Sequence, residues 1–203
     1  TASNGNYTTT PKKGNTVFTA KDKEDLSASI KTTGITGLNK AYDGEVASYT
    51  GSATVDGHTE LNSSLVYEWY KADNTKLTGA PKDVGNYYLK VSIPEANPDY
   101  IGSAKVDFTI SKREVTVAAG TYKVSKTYDG TVNVGSATIT GALSVTGILP
   151  ADSDVTVEAT PVAYGSNGVG AQSSMNVNIA LTGTGSENYK IKGDATTVTV
   201  PCE

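Results

Sequence analysis

Apolar and polar residues alternate with a period of two along several stretches of the chain. Leu65, Tyr67 and Trp69 fall on one side of such a stretch, with Val66, Glu68 and Tyr70 on the other. Tyr87, Leu89, Val91 and Ile93 alternate with Tyr88, Lys90 and Ser92, and Met175, Val177, Ile179 and Leu181 alternate with Asn176, Asn178 and Ala180. Val115 and Val117 continue the pattern, as do Val155 and Val157. Successive side chains of a strand point to opposite faces, so each stretch predicts a strand with one face on a core. Turn residues separate the strands. Asp56-Gly57, between residues 52–55 and 58–61, predicts a two-residue hairpin, and the Gly-rich residues 165–170 predict another. No stretch carries a helical period long enough to cross over a sheet. The pattern predicts an all-β protein built of antiparallel sandwiches.

The chain also repeats itself. Asn39-Lys40-Ala41-Tyr42-Asp43-Gly44 recurs 86 residues later as Ser125-Lys126-Thr127-Tyr128-Asp129-Gly130. A Gly-Ser-Ala-Thr tetrad follows each copy, at 51–54 and 135–138, and a late tyrosine in an Asn-bearing turn follows at Tyr100 and Tyr189. Near-constant spacing predicts two homologous modules, residues 32–112 and 113–203. Residues 1–31 read as a lead-in or the tail of a preceding module, with a short strand at Val17-Phe18-Thr19 and a helical turn over 21–26. The junction over 110–115 holds neither Pro nor Gly. It predicts stiffly joined modules, a rod whose partners are neighbouring repeat modules of the same chain. Trp69 followed by Asp83-Val84-Gly85-Asn86-Tyr87 resembles the C and F strands of immunoglobulin-like domains. The predicted fold is therefore two tandem immunoglobulin-like antiparallel β-sandwich modules.

Composition narrows the function classes. The 203 residues include 29 Thr and 21 Gly, and only 19% are charged. Thr favours strands and Gly favours turns. No apolar run approaches the roughly 18 residues of a membrane-spanning helix, so no membrane insertion is expected. The net charge is −4 and Arg113 is the sole arginine. Nucleic-acid readers depend on Arg for phosphate and guanine contacts, so no nucleic-acid partner is expected. One cysteine, Cys202, forms no intrachain disulfide. The chain lacks an initiator Met and a signal peptide, and reads as a piece of a longer, processed protein.

Candidate chemistry is sparse. His58 is the only histidine, and no Ser-His-Asp or Cys-His set can be assembled around it, so no catalytic residue and no enzyme are expected. Asp152, Asp154 and Glu158 alternate after Pro150, a spacing a glycosidase or a calcium site could use; a solvated loop and sheet face explains them as well. Neither a metal nor a cofactor is expected. Lys40 and Lys126, with Asn97 and Asn188, lack the final-strand Asn and buried Glu of an isopeptide crosslink. Tyr-Asp-Gly itself reads as a turn, with Gly supplying positive φ and Asp capping nearby N–H groups.

Lys126-Thr127-Tyr128-Asp129-Gly130-Thr131, with Val169-Gly170 and Glu187-Asn188-Tyr189, resembles the YDG repeat of bacterial surface proteins. The first module, through Glu68-Trp69-Tyr70-Lys71, residues 80–87 and Phe108-Thr109-Ile110, is similar to the neighbouring MBG-type modules. The resemblance implies exported, tandemly arrayed β modules of adhesin-like proteins. The function it implies is a structural stalk or spacer, extracellular at the bacterial cell surface. The alternative is a module that binds carbohydrate or a host ligand, its partner a glycan or host surface protein. For that alternative the alternation puts Tyr70 and Tyr88 side by side facing solvent, flanked by Glu68 and Lys90.

Overall fold

The computed structural model describes residues 7–12, 15–34, 38–165 and 172–202. Among them the chain forms short strands and 3-10 turns, with no α-helix, so the protein is all-β. It divides into two compact units, one of Thr1–Lys40 with Glu45–Ile110 and the other of Ala41–Gly44 with Ser111–Glu203.

The first unit holds β1 (Tyr7–Lys12), β2 (Asn15–Ala20), β3 (Glu24–Asp25), β4 (Ile30–Thr32), β5 (Lys40–Ala41), β6 (Ala53–Val55), β7 (Val66–Lys71), β8 (Gly85–Ser92), β9 (Tyr100–Ile101) and β10 (Ser103–Ser111). β5 and β10 each end one residue inside the second unit. The main sheet runs β5-β10-β8-β7. The alternation on β8 and β10 has its expected result: Leu89 and Val91 are buried beside Val106, Phe108 and Ile110. Removing each such side chain from water contributes about 1.5–3 kcal/mol. Trp69 meets Phe108 edge to face, with ring centroids 5.7 Å apart.

Three local expectations are corrected. Residues 21–26 form no helical turn; Glu24 and Asp25 pair in parallel with Tyr100 and Ile101. Leu26 and Ile30 are buried, and β4 pairs with β6, so residues 24–31 are part of the first unit's framework, where a lead-in was expected. After Asp56-Gly57 the chain enters a 3-10 turn, Thr59–Ser64, where a second hairpin strand was expected. The reason is spacing. Leu61 and Leu65 are both buried, and a strand would turn the polar Ser63 between them onto the same buried face; the 3-10 turn leaves Ser63 exposed.

The second unit holds β11 (Arg113–Ala118), β12 (Lys123–Ser125), β13 (Thr138–Thr140), β14 (Ser144–Thr146), β15 (Thr156–Pro161), β16 (Ser174–Thr182), β17 (Tyr189–Ile191) and β18 (Thr197–Pro201). Its sheets run β14-β11-β17, β12-β13 and β15-β16-β18. β16 is central, and its Met175, Val177 and Ile179 are buried in strict alternation with exposed Asn176 and Asn178. Pro161 and Pro201 close the two edge strands beside it, where a missing N–H costs no ladder bond. Val115, Val124, Val155 and Val200 complete the core. Pairing is not purely antiparallel: β11 runs parallel to β17, as β3 does to β9. The predicted hairpin over 165–170 lies outside the described residues, apart from Gly165. Among the described residues no helix is long and apolar enough to cross a membrane.

Candidate functional site

The four residues singled out for ligand binding do come together. β7 and β8 are antiparallel neighbours, and their register sets Tyr70 opposite Tyr88 and Glu68 opposite Lys90. The two rings lie parallel, 3° apart with centroids at 4.9 Å. The pair is nonetheless closed. Tyr88 is only 7% exposed, because Tyr70 stacks on it from β7 and the Lys105 ammonium sits 4.2 Å from its centroid from β10. Its hydroxyl donates to Asn74 Oδ1. The expectation of two open aromatic faces is therefore corrected: offset stacking of the rings on each other outcompetes their exposure. Glu68 is likewise engaged, accepting from Lys76 and from the Tyr70 hydroxyl. Those bonds, Lys76 first, hold its carboxyl below the usual range.

The opposite face of β7 departs further from expectation. If Tyr70 faces solvent, alternation expects Tyr67 and Trp69 to face the core; Tyr67 is instead 42% exposed and Trp69 is half-buried. They line a cleft of about 380 Å³ with Ala47, Ser48, Tyr49 and the floor residue Leu89. The Tyr49 ring lies 5.8 Å from that of Tyr67 at an angle of 37°. Its hydroxyl is within 2.8 Å of the carbonyls of both Thr33 and Ser52, which fixes the ring, and burial pushes its pKa up. The contribution of Tyr49 was illegible in the sequence, since it arrives from a segment without strand pattern.

The Tyr-Asp-Gly turn of the second unit is built around a buried ammonium. The Lys126 side chain is 5% exposed and pairs with Asp129 at 2.7 Å. Its Nζ also donates to the carbonyls of Thr131 at 3.0 Å and Asn133 at 2.6 Å. Asp129 in turn accepts from the Thr131 amide and hydroxyl, both at 2.9 Å. Lys126 and then Thr131 hold its carboxyl far below the usual carboxylate range. Gly130 takes φ 78°, the left-handed conformation that closes the turn. The same device recurs at Lys40, whose Nζ donates to the Glu45 carbonyl at 2.6 Å, again five residues on, around Gly44 at φ 82°.

The two tyrosines differ. Tyr42 is buried in the second unit, its ring edge to face with Tyr189 at 5.5 Å; Tyr128 is 60% exposed. Tyr189 donates to Asp152 Oδ2 and accepts from the Leu149 amide. Asp152 thus sits in a 3-10 turn, Pro150–Asp152, outside the strand on which it was expected to alternate with Asp154 and Glu158. Among the described residues no group of three or more His, Cys, Asp and Glu could hold a metal ion.

Residues 111–198 match the YDG domain family. The second unit therefore carries a YDG domain, and the Lys126–Asp129 turn lies within it. Neither a curated protein nor a solved structure matches the chain.

Proposed function

We propose that the chain is a structural segment, a stalk or spacer of tandem immunoglobulin-like sandwich modules in an exported bacterial cell-surface protein. One observation carries this reading. The residues that define the YDG signature hold the fold: Lys126, Asp129 and Gly130 spend their charge, hydrogen bonds and backbone freedom on closing one turn. A signature that serves a ligand would direct those groups at a cavity. The matching lysine turn at Lys40 supports a second module of the same kind. Antibodies raised against the chain test the address. They should label intact cells of the source organism, and protease shaving should release the epitope; an epitope reached only after lysis overturns the reading.

A second reading, a carbohydrate-binding module, draws on the cleft of Tyr49, Tyr67 and Trp69. Exposed aromatic faces beside polar groups stack on sugar rings. A glycan array tests it: binding that Tyr67→Ala abolishes supports this reading, and no binding or binding indifferent to Tyr67→Ala rejects it.

A further inference from the structure

The two lysine turns share one local geometry and differ in one respect. Lys40 and Lys126 each donate to the carbonyl five residues on. Gly44 and Gly130 have φ within a few degrees of each other, and Leu38 and Val124, each two residues before the lysine, are both fully buried. Beyond the turns the surroundings diverge. Tyr42 is 2% exposed and Tyr128 60%. A Cβ built on Gly44 would meet Leu149 Cδ1 at 3.1 Å, whereas one on Gly130 meets nothing within 4 Å.

The seat that Tyr42 fills belongs to the YDG domain. It consists of the Tyr189 ring and the backbone at Ser111, whose carbonyl accepts from the Tyr42 amide at 2.8 Å; the Leu149 side chain lies beside Gly44, two residues on. Ser111 opens the residues that match the family. Tyr128, in a turn of the same geometry, stays on the surface.

From this we infer that Tyr128-Asp129-Gly130 is a docking element. Its occupant is the Tyr189 seat of a further YDG domain, of the kind formed by residues 111–198. The partner is recognised by chemistry already present in this chain. A tyrosine edge enters against a second tyrosine whose hydroxyl is fixed by an aspartate, and the glycine lets an aliphatic side chain approach the turn. Any side chain at Gly130 would hold that aliphatic group away. The inference rests on the tandem-array reading but is tested apart from it, since cell-surface labelling does not depend on Tyr128 and docking does not depend on the cell.

The test extends the full chain after Cys202 with a second copy of residues 111–203 and measures hydroxyl-radical labelling of each tyrosine. Labelling of Tyr128 should fall several-fold, toward that of Tyr42, and Tyr128→Ala should lower the thermal midpoint of the appended copy. Equal Tyr128 labelling in the extended and original chains overturns the inference. If the appended copy does not fold by circular dichroism, the original chain carrying Tyr42→Ala supplies the answer, because its Tyr189 seat is then vacant. That variant should self-associate in sedimentation velocity, and Tyr128→Ala added to it should restore the monomer. A Tyr42→Ala chain that stays monomeric at high concentration overturns the inference.

Discussion

The ring of Tyr42 stands edge-on to the ring of Tyr189, 5.5 Å between centroids and 78° between planes. Both side chains are almost wholly out of water. The Tyr42 site belongs to the second unit although 66 residues of the first follow it in the chain. A tyrosine from one Tyr-Asp-Gly turn is therefore core, while its counterpart Tyr128 is surface.

That contrast sets the first prediction. Tyr42→Ala removes a buried aromatic and should destabilise the second unit by about 3 kcal/mol. Tyr128→Ala removes an exposed one and should change stability by no more than about 0.5 kcal/mol. Urea denaturation of both variants checks the difference.

Lys126→Met keeps the length of the side chain and deletes its ammonium. The carbonyls of Thr131 and Asn133 lose a charged donor, and Asp129 loses its ion pair. The expected cost is about 2–3 kcal/mol, the range for hydrogen bonds to a charged group left unmade. Lys126→Arg should fail to rescue, since a planar fork cannot point at three acceptors that converge on one nitrogen. Denaturation midpoints of both variants measure this.

Acid should loosen the same turn. The Asp129 carboxyl is held far below its ordinary value in the folded protein. A depressed folded value means the contribution is complete above the unfolded value of about 3.9 and is lost as pH falls through and below it. Thermal midpoints of the wild type should therefore drop as pH is lowered from about 4. Asp129→Asn should be less stable at neutral pH and show a shallower acid decline.

Gly44→Ala and Gly130→Ala share one strain, since both positions are left-handed. Each should lose about 1–2 kcal/mol on that account. Gly44→Ala should lose more, because the new methyl presses on Leu149 Cδ1. Equal losses at the two positions would show that the Gly44 contact is dispensable.

Strands with a local signature were legible. β16 alternates as written, and its Met175, Val177 and Ile179 are buried as their spacing requires. The β7–β8 pairing and the Tyr70–Tyr88 juxtaposition were also legible, since the aromatic positions are in phase. Their burial was not. Whether Tyr88 faces water depends on Lys105, which is distant in sequence and carries no pattern linking it to a ring. The parallel pairs of β11 with β17 and β3 with β9 were illegible for a related reason. These strands are short, and nothing local encodes a partner some 75 residues away. The cleft at Tyr67 was illegible because alternation separates two faces without saying which one the rest of the chain covers. The Lys126 turn was half read: Gly and Asp announced the turn, and the role of the lysine in closing it emerged only from geometry.

The lone thiol has a practical consequence. Cys202 is 3% exposed, donates to the Gln172 carbonyl at 3.0 Å and has its pKa pushed up by burial. A thiol that is both shielded and protonated exchanges slowly with oxidants and alkylating reagents. Folded molecules can be handled in air without becoming covalently paired. Because the sulfur is buried and held on the Gln172 carbonyl, the rate of maleimide capture becomes an intrinsic clock for local opening around Cys202, readable by mass on the unmodified sequence.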